Sequence, residues 1–309
     1  MGTDDVIGML GAEAVPLAGG YSGETFLVGA AGEQAVLRLC VRQPERAAID
    51  AALLDLVRGL VPVPRVLDLR TPEMATDDDP GPPYVLSELL PGTRLDELLP
   101  TADDDQTRVI AANLAAVLAR LSGIPFRRKG EFTDADLHVG QFDTDLVEWV
   151  EQHQAAGPLS EWAAEDQAGL RALARDADDL LADEPGGVRH CLVHSDFNPK
   201  NLLVDPTTGA VTGVLDWEFA HAGSPYTDLG NLLRFERSPV FVDSVVEGYA
   251  ERAPRAPVDL VERARAADLW GLVGLAGRAD QHDVARRAYD LLAERVRPVW
   301  ADRSHTGSA

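Results

Sequence analysis

The stretch CLVHSDFNPKNLLVD (Cys191–Asp205), followed by VTGVLDWEF (Val211–Phe219), decides how the rest of the chain is read. Cys191-Leu192-Val193 and Leu202-Leu203-Val204 are short apolar runs, Asp205 to Gly209 supplies a Pro/Gly turn, and Val211 to Leu215 is a third run. Runs of this length joined by such a turn predict a β-hairpin. Three polar residues sit at its ends: Asp196, Asn201 five residues on, and Asp216 after the returning strand. That set suits phosphoryl transfer to a hydroxyl, in which one carboxylate orients the hydroxyl and accepts its proton while an amide and a second carboxylate hold magnesium against the phosphates. Magnesium takes hard oxygen ligands and few of them from protein, so Asn201 and Asp216 suffice. An isolated H-x-D-x-x-x-x-N pattern also describes a turn closed by Asx hydrogen bonds. Its setting between strand-like runs, with a second Asp ending the third run, favours the catalytic reading.

Composition sets outer bounds. The 309 residues are 45% hydrophobic, enough for a sizeable core in two lobes or domains. With 28 Lys and Arg against 51 Asp and Glu, the formal net charge is −23. Such acidity argues against nucleic acid and against an anionic bilayer as partners. It is compatible with a cationic small molecule, and equally with a surface that is acidic for solubility. Cys40 and Cys191 lie inside apolar runs and read as small buried hydrophobes. No window approaches 18 uninterrupted apolar residues and the N-terminus has no leader pattern, so the expectation is a soluble, cytoplasmic protein, monomeric or homodimeric.

HSDFNPKNLLVD and VLDWEF, with SPYTDLGNLLR (224–234) beyond them, resemble the aminoglycoside phosphotransferase family of kinase-like enzymes. The H-S-D and D-W-E sequences are similar to the small-molecule branch, and the Arg of H-R-D and the D-F-G and A-P-E signatures of protein kinases are missing. The resemblance covers nearly the whole chain and is strongest over 191–234. It implies an α+β, two-lobed protein-kinase-like fold, with a small N-terminal antiparallel sheet lobe at 1–91 and a larger, mainly helical C-terminal lobe at 92–309 that carries the catalytic and acceptor sites. It also implies transfer of the γ-phosphoryl group of ATP or GTP, with Mg2+, to a hydroxyl of a small molecule. The acceptor is expected to be an antibiotic of aminoglycoside, basic peptide or nucleoside type. A metabolic kinase of a small alcohol, amino alcohol or sugar is the second reading, and a non-catalytic nucleotide-binding pseudokinase the third.

The resemblance also distributes roles along the chain. Gly19, Gly20 and Gly23, with Ser22 and Thr25, read as the turn that covers the nucleotide, where glycine lets backbone amides approach phosphate closely. Arg38 interrupts the apolar run Ala35 to Cys40 and stands where the fold usually has Lys. Arg can grip phosphate bidentately, but the two cations are not equivalent. The helix read over 44–59 should pair a carboxylate with Arg38, Asp50 or Glu45 being the candidates, and should bury Ile49, Leu53, Leu56 and Leu60. Tyr84 to Leu90, broken by Pro91-Gly92, matches the hinge, with the backbone of Glu88 to Leu90 meeting the nucleotide base. His194 and Asp228 are expected to support the loop. Lys200 and Glu218 are candidates for phosphate or acceptor contact, Glu218 because its spacing from Asp216 puts both on one face of a strand end. Residues 131–183 read as acidic helices in which Trp149 and Trp162 stand among carboxylates, either a solvated face or an acceptor wall. Three helices are expected after residue 240.

Overall fold

In the N-terminal part, apolar residues alternate along strands, and the sheet follows from that alternation. The computed structural model describes residues 13–17, 24–30, 33–77, 81–142, 144–183, 187–236, 238–253 and 256–306. Strands β1 (Glu13–Pro16), β2 (Glu24–Ala30), β3 (Glu33–Leu39), β4 (Val66–Arg70) and β5 (Tyr84–Glu88) form one antiparallel sheet in the order β1-β2-β3-β5-β4. Phe26, Val28, Leu37 and Leu39 fill one face, as a period of two requires. Arg38 falls on the other face, paired across the strands with Thr25 and Val85. That face is covered by helix α1 (Arg46–Val57), whose Ala47 packs with Cys40 and Val85. Both cysteines are buried and neither is in a disulfide, and burial lifts the Cys40 thiol to about 11.

Helix α1 is shorter than its apolar spacing predicts. It ends at Val57 because the chain turns at Gly59, whose φ of 84° is open to glycine at no steric cost. Ile49, Leu53, Leu54 and Val57 are the buried stripe; Leu60 lies past the helix end and is exposed, and Leu56, inside the helix, is exposed as well.

Beyond Gly92 the chain is mainly helical. Two short sheets lie in it, β11-β10-β6 and β7-β9-β12-β8, built from β6 (Thr93–Arg94), β7 (Pro125–Phe126), β8 (Gly130–Glu131), β9 (His190–Val193), β10 (Leu202–Val204), β11 (Val211–Val214) and β12 (His221–Gly223). The helices are α2 (Leu95–Leu98), α3 (Asp104–Leu121), α4 (Leu146–Ala155), α5 (Ala164–Ala182), α6 (Thr227–Leu233), α7 (Pro239–Arg252), α8 (Leu260–Ala267), α9 (Leu269–Ala276) and α10 (Asp283–Thr306). Helix α3 starts where expected: Asp103 caps it by accepting the Gln106 N–H, with Asp104 and Asp105 in the first turn. Its Ile110, Leu114, Leu118 and Leu121 are buried, each contributing about 1.5–3 kcal/mol by leaving water. They join Phe197, Leu202, Val214, Phe241 and Tyr249 in one core under the segment from His194 to Asn201. Helix α6 passes α8 so closely that a Cβ on Gly230 would stand 2.1 Å from the Ala264 carbonyl oxygen. Among the described residues no helix is long and apolar enough to cross a membrane.

Candidate active site

The segment from His194 to Asn201 leaves β9 and enters β10, so it is anchored at both ends by buried strands. Its shape is held by side chains that bond to backbone. His194 is fully buried; its Nε2–H donates to the Leu215 carbonyl at 2.9 Å, and its Nδ1 accepts the Asp196 N–H at 3.3 Å. These partners require the neutral ring, and burial pulls its pKa down to about 4. Asp228, at the start of α6, accepts the N–H groups of His194 and Ser195 at 2.9 and 2.8 Å. Burial pushes its carboxyl up to about 7, opposed by those two hydrogen bonds. Ser195 has φ of 68° and Asp216 φ of 64°, left-handed conformations uncommon outside glycine and concentrated at functional sites.

Asp196, Asn201 and Asp216 come together as their spacing implies. The Leu215 N–H donates to the Asn201 carbonyl at 2.8 Å, which sets Asn201 and Asp216 side by side at the ends of adjacent chain segments. Asn201 Nδ2 donates to Asp196 Oδ2 at 2.7 Å, leaving its own Oδ1 as the outward oxygen. Asn198, which the sequence reading left without a role, donates its Nδ2 to Asp196 Oδ1 at 2.7 Å and accepts the Lys200 N–H at 2.9 Å. Both oxygens of Asp196 are thus fixed by amides, and it was the position of Asn198 inside the quoted motif that could have drawn attention to it. Lys200 itself is exposed beside the loop.

Arg38 reaches across from the sheet. It pairs with Asp50 at 3.1 Å, stands 3.6 Å from Asp216 and bonds directly to Glu218. Asp50 is its helix partner, while Glu45 is exposed at the N-terminal cap of α1. Arg46, one helical turn before Asp50, donates to Asp50 at 2.7 Å and to the Trp217 carbonyl at 2.8 Å, tying the sheet side to the D-W-E segment. Burial alone would lower the Arg38 pKa, but Asp50, Asp216 and Glu218 together raise it above its ordinary value. Burial and the neighbouring Asp216 push Glu218 up to about 7, against the pull of Arg38. Burial likewise raises Asp216.

The remaining expected residues are distributed around this centre. Thr25 lies opposite Arg38, half-buried, while Ser22 and Gly23 lie outside the described residues. The Glu88 N–H donates to the Arg65 carbonyl at 2.9 Å and its side chain is exposed. Leu90 packs near Gly213 of β11, where a Cβ would stand 3.0 Å from its Cδ1. Trp149 and Trp162 do not share one carboxylate-lined wall: Trp149 packs on Trp270, and Trp162 on Tyr289. Asp145 and Glu148 are engaged in a capping box at the start of α4.

One buried cluster was not foreseen. Arg234, at the end of α6, donates through Nε to both oxygens of Asp268 at 3.0 Å, and Asn231 donates to the same carboxylate at 2.8 Å. Asp228, Asn231 and Arg234 recur every three residues, so one face of α6 both holds the loop after β9 and grips the start of α9. The polar spacing within TDLGNLLR was the available signal.

A loop wired in this way, with a cation facing three clustered oxygen-bearing side chains, is what phosphoryl transfer requires. The phosphotransferase enzyme family model matches residues 13–261. The chain belongs to that family. An aminoglycoside 3'-phosphotransferase from Streptomyces ribosidificus is 27% identical over 244 residues, covering 74% of this chain and 82% of that protein. Acyl-CoA dehydrogenase family member 10 of Mus musculus is 28% identical over 223 residues, 68% of this chain. The chain spans about a fifth of the length of the curated relatives it matches first, 19% and 18%. Among solved structures, a thermostable mutant of aminoglycoside phosphotransferase APH(4)-Ia, in ternary complex with ADP and hygromycin B, has a TM-score of 0.66 at 18% identity over 99% of this chain and 98% of that chain. The GDP complex of a mutant aminoglycoside 2'-phosphotransferase-IIIa has a TM-score of 0.66 at 21% identity over 91% and 90%. These neighbours carry the two-lobed kinase-like α+β fold.

Proposed function

We propose that this phosphotransferase-family chain moves the γ-phosphoryl group of a nucleoside triphosphate to a hydroxyl of a small molecule. The observation that carries the reading is the convergence of Asp196, Asn201 and Asp216 at one end of the β10–β11 hairpin, with Arg38 facing them. Asp196, held by Asn198 and Asn201, orients the acceptor hydroxyl and takes its proton. Arg38 holds the phosphates by charge-assisted hydrogen bonds, with Thr25, Ser22, Gly23 and the backbone from Glu88 to Leu90 completing the nucleotide site. His194 and Asp228 keep the loop in register.

The donor set fits a magnesium ion. Asn201 presents a neutral oxygen and Asp216 a carboxylate that is 30% exposed at its side chain, hard ligands of the kind magnesium selects. Glu218, beside them, is a further oxygen donor, and Lys200 is a candidate phosphate contact. When bound, the ion neutralises charge on the phosphate oxygens. ADP, AMP-PNP and GDP stand in the named complexes of the structural neighbours, which supports either ATP or GTP as donor here.

For the acceptor, an antibiotic is supported by the aminoglycoside phosphotransferases among the relatives and by hygromycin B in a neighbour's complex. A metabolic hydroxyl compound is supported by the acyl-CoA dehydrogenase family names of the first curated relatives. The test is nucleotide consumption with ATP and with GTP over a panel of aminoglycosides, small alcohols, amino alcohols, sugars and hydroxyacyl thioesters. Acceptor-dependent consumption with a phosphorylated product is expected for one class. A nucleotide that is bound but never consumed with any of them would return the chain to the pseudokinase reading.

A further inference from the structure

Arg46 stands where an isolated helix would not favour it. It is the first residue of α1, which has no side-chain cap and no acidic residue in its first turn. A cation at a helix N-terminus opposes the helix dipole. Arg four residues before Asp is also the less favourable order for such a pair on a helix. Local rules broken in this way are expected at positions that serve a site beyond the helix itself. Arg46 is nevertheless held, with only 13% of its side chain exposed.

It is held as a fork. Nε donates to Asp50 Oδ1 at 2.7 Å, and Nη2 donates to the Trp217 carbonyl at 2.8 Å. The first arm leads to the nucleotide side. Asp50 accepts from Arg46 at Oδ1 and from Arg38 Nη1 at Oδ2, the latter at 3.1 Å, so each oxygen of a carboxylate only 5% exposed meets a guanidinium. Arg38 in turn stands 3.6 Å from Asp216 and bonds to Glu218.

The second arm leads to the metal side. Trp217 lies between Asp216 and Glu218, and its carbonyl also accepts the Ala220 N–H at 2.9 Å. Asp216 has a left-handed backbone, with φ of 64°. The residue before it is fixed by the bond from the Leu215 N–H to the Asn201 carbonyl, and the peptide after it is gripped by Arg46. The contacts close into a ring that runs from Arg46 through Asp50, Arg38 and Glu218 and returns by the Trp217–Glu218 peptide.

We propose that Arg46 is a positioning residue of the phosphotransfer site, setting the phosphate-gripping Arg38 through Asp50 with one nitrogen and the backbone beside Asp216 with the other. This rests on the phosphotransfer reading and deepens it. Arg46 touches neither nucleotide nor acceptor; it fixes the distance between the cation on the sheet and the carboxylate after β11. Only a rigid fork can do both at once. A lysine keeps the charge, but its ammonium is a single point at the end of a flexible stem.

The test is calorimetric titration of a non-hydrolysable ATP analogue over a range of magnesium concentrations, with chemical denaturation in EDTA beside it. Arg46→Met is expected to weaken the analogue and to raise the magnesium needed for half-maximal binding, each about tenfold, the low end for groups that orient metal ligands. Asp50→Asn cuts only the arm to Arg38, so it should weaken the analogue and leave the magnesium requirement unchanged. Arg46→Lys should recover most of the denaturation midpoint lost in Arg46→Met and still show the raised magnesium requirement. If Arg46→Met does not fold, Arg46→Lys against wild type decides. A wild-type magnesium requirement in Arg46→Lys would reduce Arg46 to a structural ion pair and overturn the proposal. An equal rise in Asp50→Asn would overturn the second arm. Asp216→Ala judges the underlying reading separately. A raised magnesium requirement in Asp216→Ala, with none in either Arg46 variant, sinks the positioning role alone. An unchanged requirement in Asp216→Ala sinks the metal site on which it rests, and a wild-type protein that binds no analogue sinks both.

Discussion

The loop from His194 to Asn201 and the row of ring contacts from His221 through Phe142 to Trp270 and Trp149 are held in different ways. The loop is fixed by directional bonds: His194 to Leu215, Asp228 to two successive amides, Asn198 and Asn201 to the two oxygens of Asp196. The row is fixed by packing between rings on β12, α4 and α9, together with the segment before α4. Directional bonds define one geometry and tolerate little change, which suits chemistry that is the same for every acceptor. Ring packing is less directional and tolerates volume-conserving changes of shape.

Breaking the loop side should have the largest effect. Asp216→Ala is expected to lower turnover by at least about 10²-fold, because several kcal/mol of charge stabilisation on the phosphates is lost. Near-native activity of that variant at saturating magnesium would remove Asp216 from the metal site.

The joint between the two sides comes next. Arg234→Met leaves Asp268 buried without its cation and should cost about 3–5 kcal/mol of stability in chemical denaturation. Arg234→Met with Asp268→Leu should recover much of that loss. An unchanged midpoint for the single variant would mean that the Arg234–Asp268 pair contributes nothing to the joint between α6 and α9.

The loop's wiring also predicts a pH effect. The His194 value in the fold, about 4, lies below its ordinary 6.5, so the neutral ring stabilises the fold fully above pH 6.5 and that contribution is lost as pH falls towards 4. The size is on the order of 3 kcal/mol. Asp228 acts in the opposite sense: its value of about 7 lies above the usual 3.8, so its ionisation costs stability as pH rises through that window. The His194 contribution is therefore read as the difference between wild type and His194→Asn from pH 7 to pH 4. A difference that does not vary with pH would mean that the ring is not held neutral.

Arg38 should give the smallest effect of this group. Arg38→Met is expected to raise the nucleotide KM about tenfold, the worth of one charge-assisted hydrogen bond, with Arg38→Lys between it and wild type. An unchanged KM and kcat in Arg38→Met would confine Arg38 to pairing with Asp50 and Glu218.

The two sides also differ in how far they could be read from the chain. Asp196, Asn201 and Asp216 lie on a strand–turn–strand unit, so apolar runs and a Pro/Gly turn sufficed to bring them together. Arg38 stood out as a charge in an alternating strand. Its choice between Asp50 and Glu45 depended on where α1 starts: Glu45 precedes the helix and is exposed, while Asp50 lies one turn inside it and is buried. The stripe of α1 was extended too far because Gly59 ends the helix geometry before Leu60. Asn198 was quoted but not weighed, since an Asn in a turn has many local uses. The ring row was not legible at all. Phe142, His221 and Trp270 are far apart in sequence and share no period, so only the tertiary fold brings them together. Trp149 was read as part of either a solvated face or an acceptor wall, and two of the carboxylates near it, Asp145 and Glu148, form the cap of α4.

The central claim is that Asp196 carries the chemistry while other groups carry the nucleotide. Asp196→Asn keeps the shape of the side chain and removes its charge. Single-turnover phosphorylation and nucleotide titration on the same protein should show a rate lowered by about 10²–10⁴-fold, the range for a positioned general base, with nucleotide affinity little changed. A variant that phosphorylates its acceptor at near the wild-type rate would contradict the account.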